Sequence, residues 1–158
     1  MEKTNAMRIA EKAGVTFRTY TYDSKGAFLD GVSVAQKIGK DAAQVFKTLV
    51  AAGHSKAYYV FVIPVAAELD LKAAARAVGE KSVEMIKVAD ITKVTGYIRG
   101  GCSPIGMKKS YATVLDASCA RQETMIFSAG KIGLQMEIKP NELAGLANAA
   151  MADITHKI

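Results

Sequence analysis

The chain has 158 residues, half of them hydrophobic and 23% charged, with a formal net charge of +6 and a pI near 9.3. That length suits one domain, residues 1–158, with a sizeable core, and the composition excludes a disordered chain. Two cysteines, Cys102 and Cys119, and two histidines, His54 and His156, exclude a disulfide framework and leave no metal-ligand cluster to propose.

The N-terminus lacks the apolar core of a signal peptide. The longest apolar run, residues 57–67, is too short for a bilayer and contains Pro64. A cytoplasmic protein without a membrane partner is the expectation. The positive excess is compatible with nucleic acid, an anionic cofactor or an acidic partner, and does not choose among them.

In chain order, Thr4 to Lys12 reads as a helix, with Thr4 as N-cap and Gly14 ending it. Residues 17–22 alternate aromatic and β-branched side chains, which predicts a strand. A loop from Gly26 to Gly31 precedes a short helix, Ser33 to Ile38, stopped by Gly39. Asp41 and Gln44 have capping-box spacing and open a helical turn before Val45. Runs 48–52 and 57–65 flank Gly53–Lys56 and predict a hairpin. Asp70 starts a helix that Gly79 ends. A strand over 82–85 and a short helix over 88–94 come next, then strands over 112–115 and 124–128. Gly130 to Gly133 turns the chain into a strand over 134–138, and Pro140 begins a final helix running to about Met151. Strands and helices mix without βαβ alternation, which predicts an α+β fold with a mixed or antiparallel sheet of a kind that can curl into a barrel.

The segment Gly100-Gly101-Cys102-Ser103-Pro104-Ile105-Gly106 belongs to neither a helix nor a central strand. It reads either as a long surface turn or as backbone brought close to an anionic group or a developing oxyanion. It fails as a P-loop: Met107 stands where the lysine belongs, and residues 111–115 favour strand where helix is needed. No G-x-G-x-x-G follows a strand either. Cys102 lacks a histidine partner and reads as a lining residue rather than a nucleophile. His54 in a turn tip and His156 near the terminus read as solvated bystanders, which removes Ser-His-Asp and Cys-His chemistry. Lys47 follows Phe46 at the start of an apolar strand, and fits either a snorkelling surface lysine or an ammonium facing a cleft. Ser128-Ala129-Gly130 alone is turn chemistry.

Taken together, Val45-Phe46-Lys47-Thr48-Leu49, the S-P-x-G loop ending at Gly106 and the S-x-G-x-x-G-L turn from Ser128 to Leu134 resemble the YbaK/EbsC family of aminoacyl-tRNA deacylases. These are relatives of the editing domain of bacterial prolyl-tRNA synthetase. The resemblance runs nearly end to end and is nearest to the free-standing YbaK type, a Cys-tRNA(Pro) deacylase. It implies a mixed, barrel-like β-sheet surrounded by helices, and a pocket for the aminoacylated 3′ end of tRNA, with prolyl-tRNA synthetase as a candidate partner and no cofactor.

On this chain the resemblance places Lys47 near the ester. It also implies a substrate-binding wall from Tyr22, Thr48, the loop residues Gly100, Gly101, Cys102, Ser103, Pro104 and Gly106, and Ser128 with Gly130. Many relatives carry an aspartate where this chain has Gln135, which keeps open an Ala-tRNA(Pro) hydrolase; a non-catalytic binder of tRNA 3′ ends or nucleotides is the other alternative. In the family picture the substrate's own cysteine thiol attacks its carbonyl. Backbone amides and positioning then replace a protein nucleophile.

Overall fold

A computed structural model describes residues 3–25 and 27–156. Residues 1, 2, 157 and 158 of the expected domain, and Gly26 of the first expected loop, lie outside the described residues.

Local signals set the first elements. Helix α1 (Asn5–Lys12) is capped by Thr4, whose hydroxyl accepts from the Met7 N–H at 3.2 Å. Strand β1 (Arg18–Thr21) leads to α2 (Gly31–Ile38), which starts at Asp30 and stops where Gly39 turns left-handed. Asp41 forms a side-chain turn: its carboxylate accepts from the Ala43 N–H at 2.8 Å. A capping box is therefore not what forms there, because Gln44 sends its side chain across to Thr124 and Glu137 instead. The hairpin is β2 (Phe46–Gly53) and β3 (Tyr58–Pro64). Helix α3 (Leu71–Val78) begins at Asp70 and ends at left-handed Gly79.

Strand β4 (Val83–Met85) is followed by one 3-10 turn, Val88–Asp90, and α4 (Ile91–Thr95), where a single helix was expected. After the glycine loop come β5 (Ala112–Asp116), β6 (Met125–Lys131), β7 (Leu134–Ile138) and α5 (Pro140–Ala147). The expected continuation of α5 to Met151 does not form. Asn148 adopts a left-handed conformation, and Ala149–Ala152 becomes β8.

The class is α+β with a mixed sheet, as expected, but the strands form two sheets and no closed barrel among the described residues. One sheet is antiparallel, in the order β1-β7-β6. The other runs β4-β2-β3-β5-β8, antiparallel through β3 and parallel from β3 to β8. The sheets touch where Val45 bridges Ile126. Phe46, Val60, Val62, Leu115, Phe127 and Met136 fill one core together with Ala6, Met7 and Ala10 of α1. On the other face, Ala74 and Ala75 of α3 pack on Ala51, Phe61 and Ile63. Burial of the Val, Leu, Ile, Phe and Met side chains among these stabilises each position by roughly 1.5–3 kcal/mol.

Candidate functional site

The site lies where the larger sheet leaves an edge open. Strand β4 pairs with β2 only over Ala51 to Gly53, and the bridge at Val45 marks the other end. Between them the Ile86 N–H reaches the Val50 carbonyl at 3.2 Å. Main-chain groups repeat their direction every second residue in an antiparallel ladder. The N–H and C=O of Thr48 therefore face the same side as those of Val50, beyond the stretch that β4 pairs. The Thr48 hydroxyl is buried without a hydrogen-bond partner.

A cavity of about 440 Å³ opens on this edge. Lys47, Thr48, Tyr22, Ser128 and Gln135 wall it, with Gly100, Cys102, Arg99 and Phe28 from the loops. Lys47 pairs with Ile63 across the hairpin, and Leu49 with Phe61, so all four share the α3 face of the sheet. Lys47 is half-buried, and burial pulls its ammonium below the usual lysine value while the Glu68 carboxylate opposes that pull. Ser128 pairs with Gln135 across β6 and β7, and its hydroxyl accepts from the Gly130 N–H at 3.1 Å. Gln135 is buried on the cavity wall.

The glycine loop is braced rather than loose. Tyr97 donates its hydroxyl to the Ile105 carbonyl at 2.6 Å. A Cβ on Gly106 would lie 2.9 Å from that hydroxyl, and one on Gly130 would lie 3.0 Å from the Tyr97 ring. Tyr97 thus crowds both glycines, with Asn5 Nδ2 at 2.8 Å adding to the crowding at Gly106, and both have a positive φ that disfavours a side chain. Gly101 has a different reason: a Cβ there would sit 3.0 Å from the Ile132 backbone nitrogen, so two loops meet main chain to main chain. The Gly101 N–H is used, donating to the Ile98 carbonyl at 2.9 Å. The N–H groups of Gly100 and Cys102 donate to no other described residue. Burial pushes the Cys102 thiol up to about 11, which keeps it neutral and weakens it as a nucleophile.

Of the eleven residues expected at the ester or its wall, six line this cavity: Tyr22, Lys47, Thr48, Gly100, Cys102 and Ser128. Gly101, Ser103 and Gly130 stand behind the wall, Ser103 fully buried with its hydroxyl accepting from the Ile105 N–H. Pro104 and Gly106 instead line a second hollow of about 170 Å³ beside Tyr111 and Asn148. Neither histidine reaches the cavity. His54 is exposed in the β2–β3 turn, and His156 places Nδ1 4.0 Å from an Asp70 oxygen.

Sequence reasoning passed over Phe28 and the apolar rim of Met85, Ile86, Val88 and Ile91. The signal for Phe28 was an aromatic inside a loop between Gly26 and Gly31. Arg99 was visible as a cation adjoining the glycine loop, but its neighbour Phe28, 71 positions earlier, was not.

The family model described as "Aminoacyl-tRNA editing domain" matches residues 30–146. A protein of Enterococcus faecalis (strain ATCC 700802 / V583), named "Putative Cys-tRNA(Pro)/Cys-tRNA(Cys) deacylase EbsC", is 44% identical over 156 residues, covering 99% of this chain and 95% of that protein. A solved structure described as a "putative trans-editing enzyme for prolyl tRNA synthetase" superposes with a TM-score of 0.83 at 22% identity, over 99% of this chain and 100% of the other. A scaffold used for epitope backbone grafting gives a TM-score of 0.83 at 23% identity, over 98% and 99% of the two chains. At these identities the structural likenesses show the fold alone.

Proposed function

The chain belongs to the family of aminoacyl-tRNA editing domains, and from that membership we propose that it is a trans-editing deacylase that clears Cys-tRNA(Pro). The relative named for Cys-tRNA(Pro) and Cys-tRNA(Cys) supports the substrate. The observation that carries the chemistry is that Lys47 and the Gly100–Cys102 loop, far apart in sequence, wall one cavity that no histidine enters.

Breaking an aminoacyl ester puts negative charge on the carbonyl oxygen. In this reading the unpartnered amides of Gly100 and Cys102 receive that charge, and the Lys47 ammonium reinforces them. Tyr22, Thr48 and Ser128 hold the ester and the terminal ribose. Gly101, Ser103, Pro104, Gly106 and Gly130 shape the wall from behind.

With the Cys102 thiol held neutral, the nucleophile is the thiol of the substrate's own cysteine. Its sulfur bonds to the carbonyl carbon while the bond to the ribose oxygen breaks. The thiol proton ends on that oxygen, tRNA leaves with a free terminal hydroxyl, and cysteine leaves as a cyclic thioester. The protein's contribution is positioning and charge stabilisation. Prolyl-tRNA synthetase fits as the partner that supplies tRNA identity, and the whole chain acts as one editing domain in the cytoplasm, where tRNA is charged.

Purified protein incubated with Cys-tRNA(Pro) should accelerate loss of the ester, and Ala-tRNA(Pro), which lacks a thiol, should survive far longer. Lys47→Ala should slow deacylation about 100-fold or more, the cost of losing one group that meets the oxyanion. Equal rates for both esters would replace the thiol mechanism with hydrolysis by water. Binding of tRNA with both esters intact would leave a binder rather than an enzyme.

A further inference from the structure

At the mouth of the cavity the Arg99 guanidinium lies over the Phe28 ring, 4.1 Å from its centroid. Both residues line the cavity and both are exposed. Phe28 is 46% exposed, and it is the only one of the five phenylalanines on the surface as an open side chain, since Phe46, Phe61 and Phe127 are buried and Phe17 packs against the core. The ring also rests on Gly100, where a Cβ would come within 3.0 Å of it. A large aromatic is thus held in place by a glycine below and a cation at its face, yet left open to solvent. Core packing does not account for that arrangement, because the hydrophobic effect favours covering the ring.

We propose that the stacked Phe28–Arg99 pair is the seat for the 3′-terminal base of the RNA whose ester enters the cavity. The inference rests on the aminoacyl-tRNA reading above and assigns the part of the substrate that reading leaves unplaced. The terminal nucleotide continues through its phosphate into the rest of the RNA, so it sits at the mouth rather than inside. Single-stranded RNA ends are recognised by stacking unpaired bases on aromatic rings and guanidinium planes. Arg99 also supplies positive charge beside the adjoining phosphate, in a chain with a net charge of +6. The exposed apolar side chains of Met85 and Val88 on the same rim give the base a dry border.

The test is direct binding of an uncharged RNA hairpin with a single-stranded 3′ tail, measured by fluorescence anisotropy at fixed salt. Two versions are compared, one ending in adenosine and one whose last nucleotide is abasic. The wild-type protein should prefer the adenosine-ended hairpin by roughly 5- to 150-fold, the worth of one base–aromatic stack. Phe28→Ala should lose the preference while binding the abasic hairpin as wild type does, and Phe28→Trp should keep it. A wild-type preference under twofold overturns the proposal, as does a Phe28→Ala variant that retains the preference or weakens both hairpins equally. The readout uses no ester, so it can succeed where the deacylation assay fails, and the reverse.

Discussion

At the scale of single residues, the site works by what it withholds from water. Lys47 sits on a strand face that otherwise carries Leu49, Ile63 and Phe61, and burial disfavours its charged form. The folded protein therefore releases that proton at a lower pH than the unfolded chain does. The sign follows: between the lowered folded value and the ordinary 10.5, the unfolded chain binds more protons, so this group's contribution to stability rises with pH. Below both values the ammonium is fully present and ready to meet an oxyanion. A 13Cε titration of labelled lysines should show Lys47 titrating below the ordinary 10.5, and Glu68→Gln should lower it further, because the carboxylate is what opposes the shift. A Lys47 resonance that titrates at or above 10.5, or one that Glu68→Gln raises, contradicts the buried-ammonium account. Cys102 shows the same physics acting on an acid, since burial keeps neutral a thiol that the sequence already reads as a lining residue rather than a nucleophile.

At the scale of elements, the glycine loop and the β6–β7 turn are one unit built around Tyr97. Gly130 has φ +103° and faces the ring at 3.0 Å, whereas Gly14 has φ +76° and open space around it. Gly14→Ala should therefore cost about 1 kcal/mol, the backbone strain alone. Gly130→Ala should cost a further 1–3 kcal/mol or so from overpacking, read as a shift of the urea midpoint at constant slope, and should slow deacylation as well. Equal costs at the two positions would remove Tyr97 as the reason for the glycine.

The same contrast explains what was legible in the sequence. The caps at Thr4 and Asp70 and the stops at Gly39 and Gly79 were readable, because each depends on residues within a few positions of itself. Strand β8 was not. Its residues, Ala-Ala-Met-Ala, favour helix, and they become a strand by parallel pairing with β5, Thr113 opposite Ala149, more than thirty residues away. Lys47 and Ser128 were named in the sequence through a family resemblance, whereas the Phe28–Arg99 stack, joining two loops 71 positions apart, had no local signal.

At the scale of the whole molecule, the two sheets are tied together beside the site by one buried carboxylate. Glu137 of β7 accepts hydrogen bonds from the Tyr20 hydroxyl of β1 and the Thr124 hydroxyl just before β6. The Gln44 amide, at the entry to β2 in the other sheet, donates to it at 3.2 Å and to Thr124 at 2.9 Å. Next to this knot, the Val45 bridge to Ile126 joins the sheets, and the cavity opens immediately beyond it. Burial by itself would raise the Glu137 carboxyl; the Thr124 and Tyr20 hydroxyls, with Lys40 and Arg18, outweigh it and hold the group below its ordinary 4.5. A carboxylate with a lowered folded pKa stabilises the fold fully above the unfolded value, and that stability is lost as pH falls through the folded one. Glu137→Gln should accordingly lower stability at pH 7 by about 1.5–3 kcal/mol, the worth of hydrogen bonds to a charged group. The gap between the variant and wild type should then shrink as the pH drops below about 4.5 and close once wild-type Glu137 is itself protonated. Urea unfolding of both proteins across that range checks it, and a gap that stays constant from pH 7 to pH 3 would show that the carboxylate's charge does not hold the sheets together. Because Ser128 and Gln135 belong to the strands this knot anchors, Glu137→Gln should also cost deacylation rate at neutral pH through misplacement of that wall, with the rate loss tracking the stability loss on acidification.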